Sequence, residues 1–177
     1  MGIHPIVISA RLSAIRWTTF AACLMSMMVH AQVVGEHAEL ERLRVKADDA
    51  IANGDPDGAA MNSGKAALMA AQLAKREGDN ATGDWYRGAE ALFRSQEHGY
   101  RALALFQRAG GNPPASTGVC QSLRLADQEG QKAKNWFAKR GLPAVDATTT
   151  TADPSLSSIA TEWNRTVMEM RTDFQCP

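Results

Sequence analysis

After residue 31 nothing in this chain alternates. No run places β-branched or aromatic residues at every second position, and a strand buried on one face needs such a run. What recurs instead is Ala, Leu, Glu, Gln, Lys and Arg, with apolar residues three and four apart. These side chains lose little freedom in a helix, and that spacing puts their apolar members on one face. The pattern predicts an all-α fold of antiparallel helical hairpins, as a short solenoid or an irregular bundle, with Gly and Pro clusters marking the helix ends.

The stripes define the expected elements. Leu40, Leu43, Ala47, Ala50 and Ile51 share a face of a helix over 36–52, which Asn53-Gly54-Asp55-Pro56-Asp57-Gly58 closes. A second helix over 59–77 carries Met61, Ala67, Leu68, Ala71 and Ala74 and stops at Gly78. Residues 83–109 read either as one long helix or as a hairpin broken at His98-Gly99, with Gly as the left-handed residue after the first arm. The same alternative arises over 116–140 at Gly130. Residues 142–152, with four consecutive threonines, read as a linker before a C-terminal capping helix over 153–175. Asp153 would cap that helix, with Pro154 at its first position. Trp85, Phe93, Phe106, Trp136 and Trp163 fall on the apolar stripes and are expected in the core.

The first 31 residues have the build of a secretory signal. They contain no acid, Arg11 and Arg16 precede an apolar stretch from Trp17 to Val29, and Val29-His30-Ala31 is a cleavage pattern before Gln32. That stretch is shorter than the roughly 20 residues needed to span a bilayer. The expectation is therefore export to the periplasm or beyond, with no stable membrane insertion after cleavage and one domain over 32–177. Two of the 19 Lys and Arg lie in the signal, leaving 17 against 19 acids and a net charge of −2. This balance speaks against nucleic acid as the partner. Cys120 and Cys176 remain as an even pair in an exported chain, the setting in which disulfides form. Long helices over 116–140 and 154–175, laid antiparallel, would bring the two together.

No sequence motif carries chemistry. His37 and His98 belong to no HExxH-like pair, so no metal ligand set is expected. Ser63-Gly64-Lys65 lacks the leading Gly of a phosphate loop, and the Gly-x-Ser-x-Gly nucleophile elbow is absent. His98 reads as a cation at a helix C-terminus. Lys132, Lys134, Lys139 and Arg140 read as cations closing a helix whose Trp136 and Phe137 point into the core. No catalytic, cofactor-binding or metal residue is assigned, although paired carboxylates brought together in space stay open.

Three expected helix ends fall at Gly78, Gly110 and Gly141, at intervals of 32 and 31, and the segments 101–110 and 132–141 align with a basic residue, Ala, Phe and Gly in register. Periods in the low thirties mark helical-hairpin repeats. Tyr86, Phe93, Ala102, Phe106, Ala109 and Pro114 stand at the spacings of the tetratricopeptide repeat, and Lys132–Phe137 is similar to the start of a Sel1-type second helix. Over 83–141 the chain thus resembles the tetratricopeptide and Sel1-like repeats. It departs from them at Glu90, where the pattern has Gly, and at Cys120 and Arg140. The resemblance implies a concave face that binds another protein, with Tyr86 and Arg87 as the contact residues. The function expected is non-enzymatic protein–protein interaction outside the cytoplasm. The rival expectations are an immunity protein or inhibitor in that compartment, and a small all-α cell-wall hydrolase using a Glu or Asp.

Overall fold

Every regular element in the computed structural model is a helix, among the residues it describes, 35–139 and 155–177. The signal over 1–31, the linker over 142–152 and the Asp153-Pro154 start lie outside the described residues. The fold below is that of the unit Leu40–Pro177. Residues 35–52 are helical (α1), followed by α2 (Pro56–Glu77), α3 (Ala81–Arg108), α4 (Thr117–Phe137) and α5 (Leu156–Asp173).

The starts of α2 to α5 each have a side-chain cap. Asp55, Asn80, Ser116 and Ser155 accept from the backbone N–H three residues on, which satisfies a donor that the helix itself leaves open. Asp55-Pro56 is a cap followed by proline at the first position, so α2 begins three residues earlier than its apolar stripe suggests. At the other end Gly78, at φ 73°, takes a conformation that costs any residue with a Cβ, and it ends α2. The last helix, as described, starts from Ser155, whose hydroxyl accepts from Ser158 N.

Both open alternatives resolve to single helices. α3 runs unbroken for 28 residues through Gly99, and α4 for 21 through Gly130. The interval from Gly78 to Gly110 therefore holds one long helix, whereas a tetratricopeptide unit of that length holds two.

The element at the centre is α3. It packs on α2 along one side and on α4 along the other, and α5 lies on α4 and touches α3. Its outward strip is narrow and charged, with Arg94 paired to Glu90 and Glu97, and Arg101 also on Glu97. Leu40 and Leu43 of α1 join α2 alanines and Trp85, Tyr86 and Phe93 of α3 in one core cluster, and a second joins Leu92 and Tyr100 to Trp163 and Val167.

Small residues let these helices approach. α2 buries Ala59, Ser63, Ala66, Ala67, Ala70 and Ala74, while Met61 and Leu68 are 56% and 57% exposed. Its buried face is thus turned by about 100°, one residue step, from the expected one. The larger side chains look outward because the alanine ridge admits α3 more closely. A Cβ on Gly88 would stand 2.7 Å from the Phe137 ring, and one on Gly99 2.5 Å from Trp163. These two glycines are notches for incoming rings, not helix ends.

Cys120, in the first turn of α4, and Cys176, just past α5, form a disulfide with Cα atoms 5.3 Å apart. α5 is therefore antiparallel to α4, as the sequence predicts. Ala115 N donates to Phe174 O at 2.9 Å beside the bridge, and Phe174 stacks on Phe106 with centroids 3.9 Å apart. Of the five aromatics expected in the core, Trp85, Phe93 and Trp163 are buried, while Phe106 and Trp136 are only half-buried.

Candidate functional site

The helical period of α3 places Ser95, Gln96 and Tyr100 towards α5, and the continuity of the helix through His98-Gly99 keeps them on one rigid support. Ser95 is fully buried: its hydroxyl donates to Ala126 O of α4 at 2.6 Å and accepts from Trp163 Nε1 of α5 at 2.9 Å. This joint pins the indole. The Tyr100 ring then lies against it, centroids 4.9 Å apart and planes at 59°.

Beside that joint runs a groove of about 420 Å³ between α1, α3 and α5, lined chiefly by Asp48, Gln96, Tyr100, Ile159, Glu162 and Trp163. Its walls are mostly carbon, with carboxylates from two helices. Arg44 donates to Asp48 at 2.7 Å and also to Glu41. Across the groove Arg165 bridges Glu162 and Glu169. The hydrogen bond from Arg165 holds the Glu162 carboxyl below its ordinary range. Burial, helped by the charge of Asp48, pushes the Tyr100 phenol up to about 12. On the same helix burial lowers His98, which sits in the middle of α3 and not at the helix C-terminus expected of it.

No protein-family model, curated protein or solved structure matches the chain. Its site must be judged on its own chemistry.

A second constellation lies where the N-terminal turns of α3 meet the end of α4. The Trp136 ring carries Lys139 Nζ 3.5 Å from its centroid and Arg87 Cζ 5.6 Å from it, both within reach of the attraction between a cation and a ring face. Asp84 ties the two cations together, at 2.6 Å from Arg87 and 3.1 Å from Lys139. The hydrogen bond from Lys139, with Arg87 adding to it, holds the Asp84 carboxyl below its ordinary range. Asp79 grips the other guanidinium nitrogen of Arg87 at 2.6 Å. Trp136 is thus an outward aromatic clamped by charge, where the sequence had put it in the core.

Of the two residues expected to contact a partner, Arg87 belongs to this cluster and is 26% exposed. Tyr86 is 3% exposed and packs edge-on against Trp85 at 5.0 Å, so it serves the core. Lys132 pairs with Glu129 and stands apart from the Trp136 cluster. Among the described residues no three His, Cys, Asp or Glu converge as metal ligands, and no helix is long and apolar enough to cross a membrane. The groove residues escaped the sequence because they come from three helices, about 50 residues apart in each step. Only Tyr100, Ile159 and Trp163 stood out there, as members of apolar stripes.

Proposed function

We propose that this protein acts outside the cytoplasm as a non-enzymatic helical interaction protein, freed of residues 1–31 and holding another protein through the face around Trp136. The signal pattern over 1–31 and the Cys120–Cys176 disulfide both suit an oxidising compartment. The observation that carries the binding role is the Trp136 ring held between Arg87 and Lys139. Trp and Arg dominate the energetics of protein interfaces, and anchors already ordered lose less freedom when a partner arrives. The ion pairs through Asp84 supply that order before any partner is present.

The test is quantitative recovery of cross-linked partners from the envelope and extracellular fractions. Trp136→Ala and Arg87→Ala should each weaken capture of the same partner by tenfold or more, the size of an interface anchor of about 1.4 kcal/mol or above. Equal recovery by the wild type and both variants removes this face from the function.

A further inference from the structure

We propose that the outward face of α2 docks on an anionic lipid surface, with Lys65 and Lys75 on the headgroups and Met61 and Leu68 pressed into the acyl-chain boundary. This face is separate from the Trp136 cluster, and either can stand without the other.

The first observation is the inverted build of α2. The helix buries its alanines and leaves its longer apolar side chains outside, Met61 56% and Leu68 57% exposed. A single exposed apolar residue needs no explanation, but these two belong to a pattern. Met61, Lys65, Leu68, Gln72 and Lys75 follow one another in steps of four and three, and all five are exposed. Residues so spaced are neighbours on a helix surface, so they form one seam in which apolar side chains and lysines interleave.

The second observation is charge. From 58 to 76 α2 contains no acid, and no other described helix runs so far without one. At its end Arg76 pairs with Glu77, but Lys65 and Lys75 meet no carboxylate of a described residue. Glu97 of α3, which packs beside Gly64, is taken by Arg94 and Arg101. What complements this face is negative charge next to hydrocarbon.

An acidic helix and an anionic bilayer both offer that combination, and the residues favour the bilayer. Protein interfaces draw their energy from Trp, Tyr and Arg, are poor in Lys, and seat a partner helix in a groove. The seam has none of those three residues and runs along one exposed helix. Lysine suits lipid, since its stem lies along the apolar boundary while the ammonium reaches the headgroups. Each lysine adds a similar increment on an anionic surface, and salt weakens it.

The test is co-sedimentation of the protein, disulfide intact, with vesicles of phosphatidylcholine alone or mixed equally with phosphatidylglycerol. Binding should be roughly tenfold or more stronger on the anionic vesicles and should fall as salt is raised. Lys65→Gln and Lys75→Gln should each weaken it about fivefold, and Leu68→Gln by a similar factor. Their melting midpoints should hold, because all three side chains are exposed. Arg124→Gln removes an exposed cation of α4 and should change binding less than about twofold. The α2 variants leave the rest of the chain untouched, so their comparison with the wild type reads α2 and not residues 1–31. Equal binding to neutral and anionic vesicles, or to neither, overturns the proposal. So does an Arg124→Gln loss as large as that of Lys65→Gln, which makes the attraction one of overall charge. Saturable binding of an acidic amphipathic peptide in place of vesicles also overturns it and gives the face to a protein.

Discussion

A methyl group added at Gly99 would stand 2.5 Å from Trp163 Cζ2. The indole cannot swing aside without breaking its bond to Ser95 and its contact with Tyr100. Alanine gains about 1 kcal/mol over glycine in a helix, but overpacking a core costs about 1–3 kcal/mol. Gly99→Ala should therefore lower stability, by up to about 2 kcal/mol, in urea denaturation. Gly118, in the first turn of α4, has nothing nearer to its missing Cβ than the Ser116 hydroxyl at 4.0 Å. There propensity acts unopposed, and Gly118→Ala should stabilise by up to ~1 kcal/mol in the same assay. Ser95→Ala strands the buried indole N–H and should cost about 1–3 kcal/mol. Loss below a few tenths in that variant would show that Trp163 finds another acceptor.

Among the elements α5 is the one tied on. It packs Ala160, Trp163 and Val167 into the core shared with α3 and α4, and its C-terminal end is held by Phe174 on Phe106 and by the Cys120–Cys176 bridge. The bridge closes a loop with a sequence separation of 56, which in the chain-entropy model gives up to ~4 kcal/mol. Replacing both cysteines with serine should lower stability towards that amount. It should also speed amide exchange through the last turns of α5, with α3 changing least. Uniform acceleration in all helices would mean that α5 is no weaker than the rest. The sequence anticipated this docking because cysteine pairs and antiparallel helices are both legible locally. It did not anticipate which face of α2 is buried, since an alanine ridge and a Met–Leu stripe differ by one residue step.

For the molecule as a whole, stability should fall on both sides of neutral pH. His98 is lowered by burial, so the unfolded chain takes up its proton first and stability declines as pH drops below about 6.5. Asp84 and Glu162 are held low by Lys139, Arg87 and Arg165. Their contribution is present above the ordinary carboxylate range and is lost as pH falls through their folded values. On the alkaline side Tyr100, raised to about 12, stays protonated while its unfolded counterpart ionises near 10. That contribution is whole below pH 10 and is lost by about 12, roughly 2–3 kcal/mol in all. Tyr100→Phe should flatten this alkaline fall in a series of denaturation curves. An unchanged slope between pH 10 and 12 would place the hydroxyl in water.

The sequence by itself determined the all-helical class, the positions of all five described helices to within three residues, and the cysteine pair. Each of these rests on local signals, namely the period of apolar residues, capping side chains and an even cysteine count. The same local signals read Gly99 and Gly130 as ambiguous breaks, because a glycine looks alike whether it ends a helix or makes room for a neighbour. Only the packed structure decides between them, by placing Trp163 over one, and Asn164 and Ser95 over the other. The groove belongs wholly to that level. Asp48, Gln96 and Glu162 are ordinary helix residues in the sequence, and they face one another only once α1, α3 and α5 have closed around the Ser95–Trp163 joint.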